Sequence, residues 1–275
     1  VVNTAHASLT HAAIVAGLAT FDPDVTVAGA LLNRLASPRH GAAVARGLAQ
    51  LGIPVLGQIP RTEPIFVPSR HLGLVPAGEW EDSATKVAGL GGLIAEYVDL
   101  DAVMDMAATA PDLDVEPWDP AAALESAGWQ GHPFGESPLV GMFAGRAFTF
   151  RYPETTEMLI AAGFRVVDVD PLTDWRLPDG IQGLYLGGGF PQMHATDLET
   201  NSELADDVRS HAEAGVPIVA ECAGLLYLCR HLDGHEMAGV LPMDAAMAKR
   251  LTMGYRVATC LLYTSPSPRD LSTSR

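Results

Sequence analysis

Two stretches hold residues that could do chemistry together. In Val216-Pro217-Ile218-Val219-Ala220-Glu221-Cys222-Ala223-Gly224-Leu225-Leu226-Tyr227-Leu228, an apolar run ends in a cysteine and small residues open an amphipathic helix. That order predicts a nucleophile elbow. A tight strand-to-helix turn lifts the thiol above a sheet, and backbone N–H groups at the helix start favour the thiolate and can hold an oxyanion. Ala223 and Gly224 are small enough to leave the turn and the approach of a substrate carbonyl open. Taken alone, Cys222 fits a buried core thiol equally well, because free cysteine is among the most buried residue types.

The second stretch is Gly183-Leu184-Tyr185-Leu186-Gly187-Gly188-Gly189-Phe190-Pro191, an apolar strand running into three glycines. A lone glycine triplet is weak evidence. Two strand-to-loop units about one βαβ length apart are stronger, since parallel strands place both loops at one carboxyl edge. Gly187, Gly188 and Gly189 could then offer oxyanion N–H groups to Cys222.

The elements that must position these loops follow from periodicity. The chain opens at Val1-Val2-Asn3 as the end of a strand, followed by a helix over 10–19, a strand over 25–32, a helix over 38–51 and a strand over 53–59. A helix over 81–97, interrupted by Gly89, Gly91 and Gly92, continues in the same style over 101–108. Residues 109–137 lose periodicity and read as an acidic, proline-rich linker whose tryptophans, Trp118 and Trp129, can pack on a neighbouring domain. Strands over 139–143, 164–169, 183–186 and 216–220 and helices ending near Gly163 and Ala214 complete a second domain, Asn201 being the expected N-cap of the latter. The fold class is α/β: a partial parallel-sheet domain over 1–108 and a second α/β domain over 138–259. His194 and His211 lie on polar segments and read as solvated.

Composition bounds the function. At 275 residues, 48% of them hydrophobic, the chain can fill two cores. A formal net charge of −16 argues against non-specific binding to nucleic acid or to an anionic membrane. Three cysteines at no metal spacing give neither a disulfide framework nor a zinc site, which suits the cytoplasm. In Pro68-Ser69-Arg70-His71-Leu72-Gly73-Leu74, the Arg-His pair could bind carboxylates or phosphates, although spacing alone favours a solvated loop.

Together Gly187-Gly188-Gly189-Phe190-Pro191, His194, Asn201, Ala220-Glu221-Cys222-Ala223-Gly224, Arg250-Leu251-Thr252-Met253-Gly254-Tyr255-Arg256 and the loop around Arg70 and His71 resemble the cobyrinic (or hydrogenobyrinic) acid a,c-diamide synthase family. The likeness runs in the family's order over 1–259. It implies a P-loop-type, dethiobiotin-synthetase-like domain that uses ATP and Mg²⁺ to convert corrin acetate carboxylates into acyl phosphates. A class I glutamine amidotransferase domain would follow, releasing ammonia from L-glutamine. By resemblance Cys222 is the nucleophile, and Ala223 with Gly187, Gly188 and Gly189 holds the oxyanion. Arg70, His71 and Asn33 lie near ATP or the corrin. A homodimer is one option for the assembly.

Two of the family's features are missing. There is no G-x-x-x-x-G-K-[ST] phosphate loop, and no histidine downstream of Gly254-Tyr255-Arg256. Residues 260–275 read as a non-native tail, and His231 and His235 follow the elbow too closely to return over its thiol. The expectation is a fragment deficient in both ATP-dependent synthesis and efficient glutaminase turnover. Competing readings are a sister tetrapyrrole amidotransferase such as cobyric acid synthase, a PfpI-like cysteine hydrolase, and a non-catalytic scaffold, which would leave both loops unexplained.

Overall fold

The computed structural model describes residues 1–61, 75–76, 79, 82–131 and 137–248. The chain divides into two compact units, Val1–Trp118 and Asp119–Arg275. Among the described residues, no helix is long and apolar enough to cross a membrane.

The first unit runs β1 (Val2–Asn3), α1 (Thr10–Phe21), β2 (Ala30–Leu35), α2 (Pro38–Ala49), β3 (Val55–Pro60), α3 (Ser83–Tyr97) and α4 (Leu100–Ala107). Its three strands are parallel in the order β1-β2-β3, with Asn3 opposite Asn33 and Ala30 opposite Val55. Leu32, Val44 and Leu48 are fully buried between the sheet and its helices. Helix α2 starts where Ser37 accepts the His40 N–H at 3.2 Å and Pro38 fills the first turn.

Two expectations change here. The strand expected over 25–32 begins at Ala30, because its ladder partner starts only after the Gly52 turn, where Ala30 N–H meets the Pro54 carbonyl. The glycines expected to interrupt the third helix do not, and α3 is continuous. Gly91 and Gly92 face open space, so each costs only helix propensity, about 1 kcal/mol against alanine.

The second unit runs α5 (Pro120–Ser126), β4 (Leu139–Phe143), α6 (Pro153–Ala161), β5 (Arg165–Val169), β6 (Ile181–Leu186), α7 (Ala195–Thr200), α8 (Ser202–Glu213), β7 (Ile218–Ala220), α9 (Ala223–Leu228), β8 (His231–Leu232), β9 (His235–Glu236) and β10 (Asp244–Ala245). Strands β5-β4-β6-β7 form one parallel sheet. Its core gathers Phe143, Phe148, Leu186, Leu204, Val208 and Tyr227, all essentially inaccessible. β8 pairs antiparallel with β9 and parallel with β10.

Within the stretch read as aperiodic, α5 forms because Asp119 accepts the N–H groups of Ala121 and Ala122 and Pro120 sits in the first turn. Trp129 then meets Phe164 at 6.4 Å between ring centroids. β7 is not the buried strand that its apolar residues suggested. It is the last strand of the described sheet, and Val219 is 55% exposed. Among the described residues that side of the sheet is uncovered: Val140, Tyr185 and Val219, with Met158 and Leu159 of α6 and with Trp129, line an apolar groove of about 780 Å³.

Candidate active site

The parallel strands deliver the loops after β4, β6 and β7 to one edge of the sheet. Register places Tyr185 opposite Val219 and Leu186 opposite Ala220, so the glycine loop and the cysteine leave neighbouring strands side by side. Cys222 is exposed and has φ 49° and ψ −108°, a conformation rare for any residue with a side chain. This is the strained turn of an elbow, and α9 begins at the next residue.

Backbone hydrogen bonds tie the elbow to the glycine loop. Glu221 N–H donates to the Leu186 carbonyl at 3.0 Å, and Gly224 N–H donates to the carbonyls of Gly187 at 3.0 Å and Glu221 at 2.9 Å. At Gly224 a side chain would strike the Leu186 carbonyl oxygen and lie 2.6 Å from Leu186 Cβ, so only glycine lets α9 approach β6 this closely. The loop is fixed on its other side by residues after β4. Phe150 N–H donates to Gly188 O and Phe190 N–H to Ala147 O, both at 3.0 Å, and Gly189 abuts Ala147 and Phe148. Ala223 is fully buried, and as the first helical residue it carries an N–H with no intrahelical acceptor.

Tyr227 anchors α9. Its ring centroid lies 5.4 Å from that of Phe143 and 5.9 Å from that of Phe148, and burial pushes its phenol far above the ordinary range. Behind the helix, Cys229 is buried and its Sγ lies 3.3 Å from the Leu225 carbonyl. Burial, with the charge of Asp244 second, raises that thiol's pKa. The two cysteines therefore differ in access, Cys222 outward and Cys229 inward.

Beneath the elbow, Tyr185 Oη donates to Glu221 Oε1 at 2.7 Å. Burial first, then this bond and the carboxylate's charge, raise the Tyr185 phenol above its ordinary value, against a smaller lowering by Thr155. Sequence reading did not pair these two residues, which are 36 positions apart.

The histidines resolve differently from their polar surroundings. His194 is buried, with Nδ1 4.0 Å from an Asp197 oxygen, and is not the solvated residue expected. His211 is half-buried and bonds the Asp207 carbonyl at 2.9 Å through Nδ1. His231 Nδ1 meets Asp244 at 2.8 Å, and His235 Nδ1 meets Glu199 at 2.8 Å. Among the described residues, neither of these last two rings is hydrogen-bonded to Cys222. Asn201 stands at the N-cap of α8 as expected, but its side chain does not bond the first turn: its amide donates to the carbonyls of Pro171 and Asp174, both at 2.8 Å, and so staples the loop after β5.

In the first unit Asn33 lies within β2, half-buried, and its carbonyl accepts both the N–H and the hydroxyl of Thr4. Arg34, the next residue, is left-handed at φ 64°. Arg70, His71 and the stretch from Arg250 to Arg256 lie outside the described residues. Among the described residues, no group of three or more His, Cys, Asp or Glu side chains could hold a metal ion.

A strained cysteine elbow beside a glycine loop at one sheet edge is an arrangement that a cysteine-dependent amidotransferase can use. Residues 140–268 match the model of the CobB/CobQ-like glutamine amidotransferase domain. Over nearly its whole length the chain is similar to proteins named a,c-diamide synthases. It is 48% identical to hydrogenobyrinate a,c-diamide synthase of Thermobifida fusca, over 93% of this chain and 54% of that protein. It is 42% identical to the hydrogenobyrinate a,c-diamide synthase of Streptomyces coelicolor, over 95% of this chain and 59% of the relative. The cobyrinate a,c-diamide synthase of Archaeoglobus fulgidus is 36% identical over 94% of this chain and 55% of its own length. The chain thus spans little more than half the length of these relatives. No solved structure matches it.

Proposed function

We propose that the second unit is the glutamine-hydrolysing part of an ATP-dependent ligase of cobalamin biosynthesis that amidates the a and c acetates of hydrogenobyrinic or cobyrinic acid. The observation that carries this reading is the Gly224 N–H to Gly187 carbonyl bond, which joins the Cys222 elbow to the glycine loop. The Cys222 thiolate attacks the side-chain carboxamide carbon of L-glutamine, forming a C–S bond. The N–H of Ala223, with those of the Gly187-Gly188-Gly189 loop, stabilises the oxyanion. Collapse, with a proton taken up from water by the leaving nitrogen, releases ammonia and leaves a glutamyl thioester, which water hydrolyses to glutamate and the free thiol.

Ammonia needs an activated acceptor, and an acyl phosphate on the corrin carboxylate would give that carboxylate a leaving group. Asn33, Arg70 and His71 are the residues that family resemblance assigns to ATP or the corrin. The described residues, however, contain no metal-holding cluster, and the sequence contains no phosphate loop of the G-x-x-x-x-G-K-[ST] type. These residues do not by themselves hold MgATP. Of the relatives named above, the two more similar carry the hydrogenobyrinate name, which favours a metal-free corrin. The acidic charge and the free thiols support a cytoplasmic enzyme.

Labelling of the chain with a glutamine-analogue diazo-ketone tests the reading. A single adduct on Cys222, absent from Cys222→Ser and suppressed by L-glutamine, is expected. No adduct on the unmodified chain would remove the glutaminase assignment.

A further inference from the structure

We propose that Tyr185 and Glu221 are positioning residues for the elbow thiol, acting through the hydrogen bond that joins them. The bearing of this on turnover rests on the glutaminase reading above; the geometry does not.

Glu221 stands between the last residue of β7 and Cys222. Its three polar handles are all held. The N–H donates to Leu186 O at 3.0 Å, the carbonyl accepts Gly224 N–H at 2.9 Å, and the carboxylate accepts Tyr185 Oη at 2.7 Å. Two of these three anchors come from β6, the strand that also presents the glycine loop. The next residue, Cys222, sits at φ 49°. A conformation of that kind costs about 1–3 kcal/mol and persists only where the surroundings over-determine it. The backbone anchors on their own are ordinary for a strand end. The bond from Tyr185 is the constraint that this sequence adds, and it locks the residue before the thiol to the strand that carries the oxyanion loop.

The chemistry of the pair suits that task. A phenol donating to a carboxylate makes a short, charge-assisted bond stronger than a neutral one. Tyr185 is planar and has few rotamers, and its ring forms part of the apolar groove wall beside Val219. Phenol and carboxylate thus meet where the apolar wall reaches the sheet's catalytic edge.

The test uses the full chain and four variants: Tyr185→Phe, Glu221→Ala, Glu221→Gln and the double variant Tyr185→Phe/Glu221→Ala. Two rates are read at Cys222 by mass spectrometry, alkylation by iodoacetamide and labelling by the glutamine-analogue diazo-ketone, with thermal melting in parallel. Tyr185→Phe and Glu221→Ala should each lower both rates about tenfold, as expected for losing one charge-assisted bond from a poised nucleophile. The double variant should fall no further than the more affected single variant, because one bond is lost in each. Glu221→Gln keeps an acceptor for Tyr185 and should lie within about threefold of the parent. A merely structural role would lower melting temperature and leave both rates at Cys222 unchanged in the folded protein, and that result overturns the proposal. So do single-variant effects that multiply in the double variant. If the parent chain gives no diazo-ketone adduct while iodoacetamide follows the expected pattern, the positioning role stands and the glutaminase reading falls.

Discussion

Gly224 N–H donates to the Gly187 carbonyl at 3.0 Å, and through this bond the first turn of the elbow helix and the glycine loop become one rigid edge. Substituting Gly224→Ala places a methyl against the Leu186 carbonyl, and α9 must then move off β6. The expected cost is about 1–3 kcal/mol, typical of overpacking, together with loss of diazo-ketone labelling at Cys222. Denaturant melts and intact mass check the two effects, and wild-type labelling in Gly224→Ala would count against a shared oxyanion edge.

Strain at Cys222 makes a prediction of opposite sign. With φ at 49°, Cys222→Gly relieves a conformation that glycine adopts freely. Unfolding should become harder by about 1 kcal/mol, a rise of roughly 2–4 °C in Tm, while labelling disappears. Cys222→Ser should lose labelling with little change in Tm. A Cys222→Gly protein that melts lower than the parent would show that the turn is unstrained.

The hairpin after the elbow should loosen in acid. Glu199 is held below its ordinary 4.5 first by the bond from His235 and then by the Glu236 N–H, while Asp244 is held below 3.8 first by His231 and also by Arg230. A carboxylate depressed in the folded state contributes stability above its unfolded value. That contribution is lost as pH falls from 4.5 and 3.8 through the lower folded values. Hydrogen-exchange protection at the Glu236 amide, which donates to Glu199 at 2.9 Å, should drop over that window. The drop should be missing in Glu199→Gln.

Asn201 should prove structural. Its amide bridges two carbonyls of the loop after β5, so Asn201→Ala leaves two acceptors short and is expected to cost about 1–3 kcal/mol. Labelling of Cys222 in the folded fraction should be unchanged, and slowed labelling at unchanged Tm would contradict this.

Much of this edge was legible in the sequence because its signals are local. A strand, a cysteine and two small residues specify an elbow within a few positions, and three glycines after an apolar strand specify a close backbone approach. What the sequence hid depends on distant partners. Asn201 occupies the N-cap of α8, but that its side chain serves Pro171 and Asp174 instead of the first turn depends on residues about 30 positions away. Tyr185 and Glu221 carry no local pattern that pairs them. His194 lies among polar residues yet is buried. Helix α5 is short and sits among acidic residues and prolines, so its periodicity is too brief to register, although Asp119 and Pro120 signal its start. β7 is apolar yet half exposed at Val219, because an apolar strand reports what could be covered, not what is. Arg70 and His71 remain expectations carried by resemblance.

The open groove beside α6 bears on how the chain is assayed. Trp129, Met158, Leu159 and Val219 offer an apolar cleft in the native fold, of a size that a naphthalene sulfonate dye can enter. Dye fluorescence is commonly taken as a mark of loosened packing. For this chain it will be bright in the fully folded state, and dye uptake alone will not separate a native preparation from a molten one.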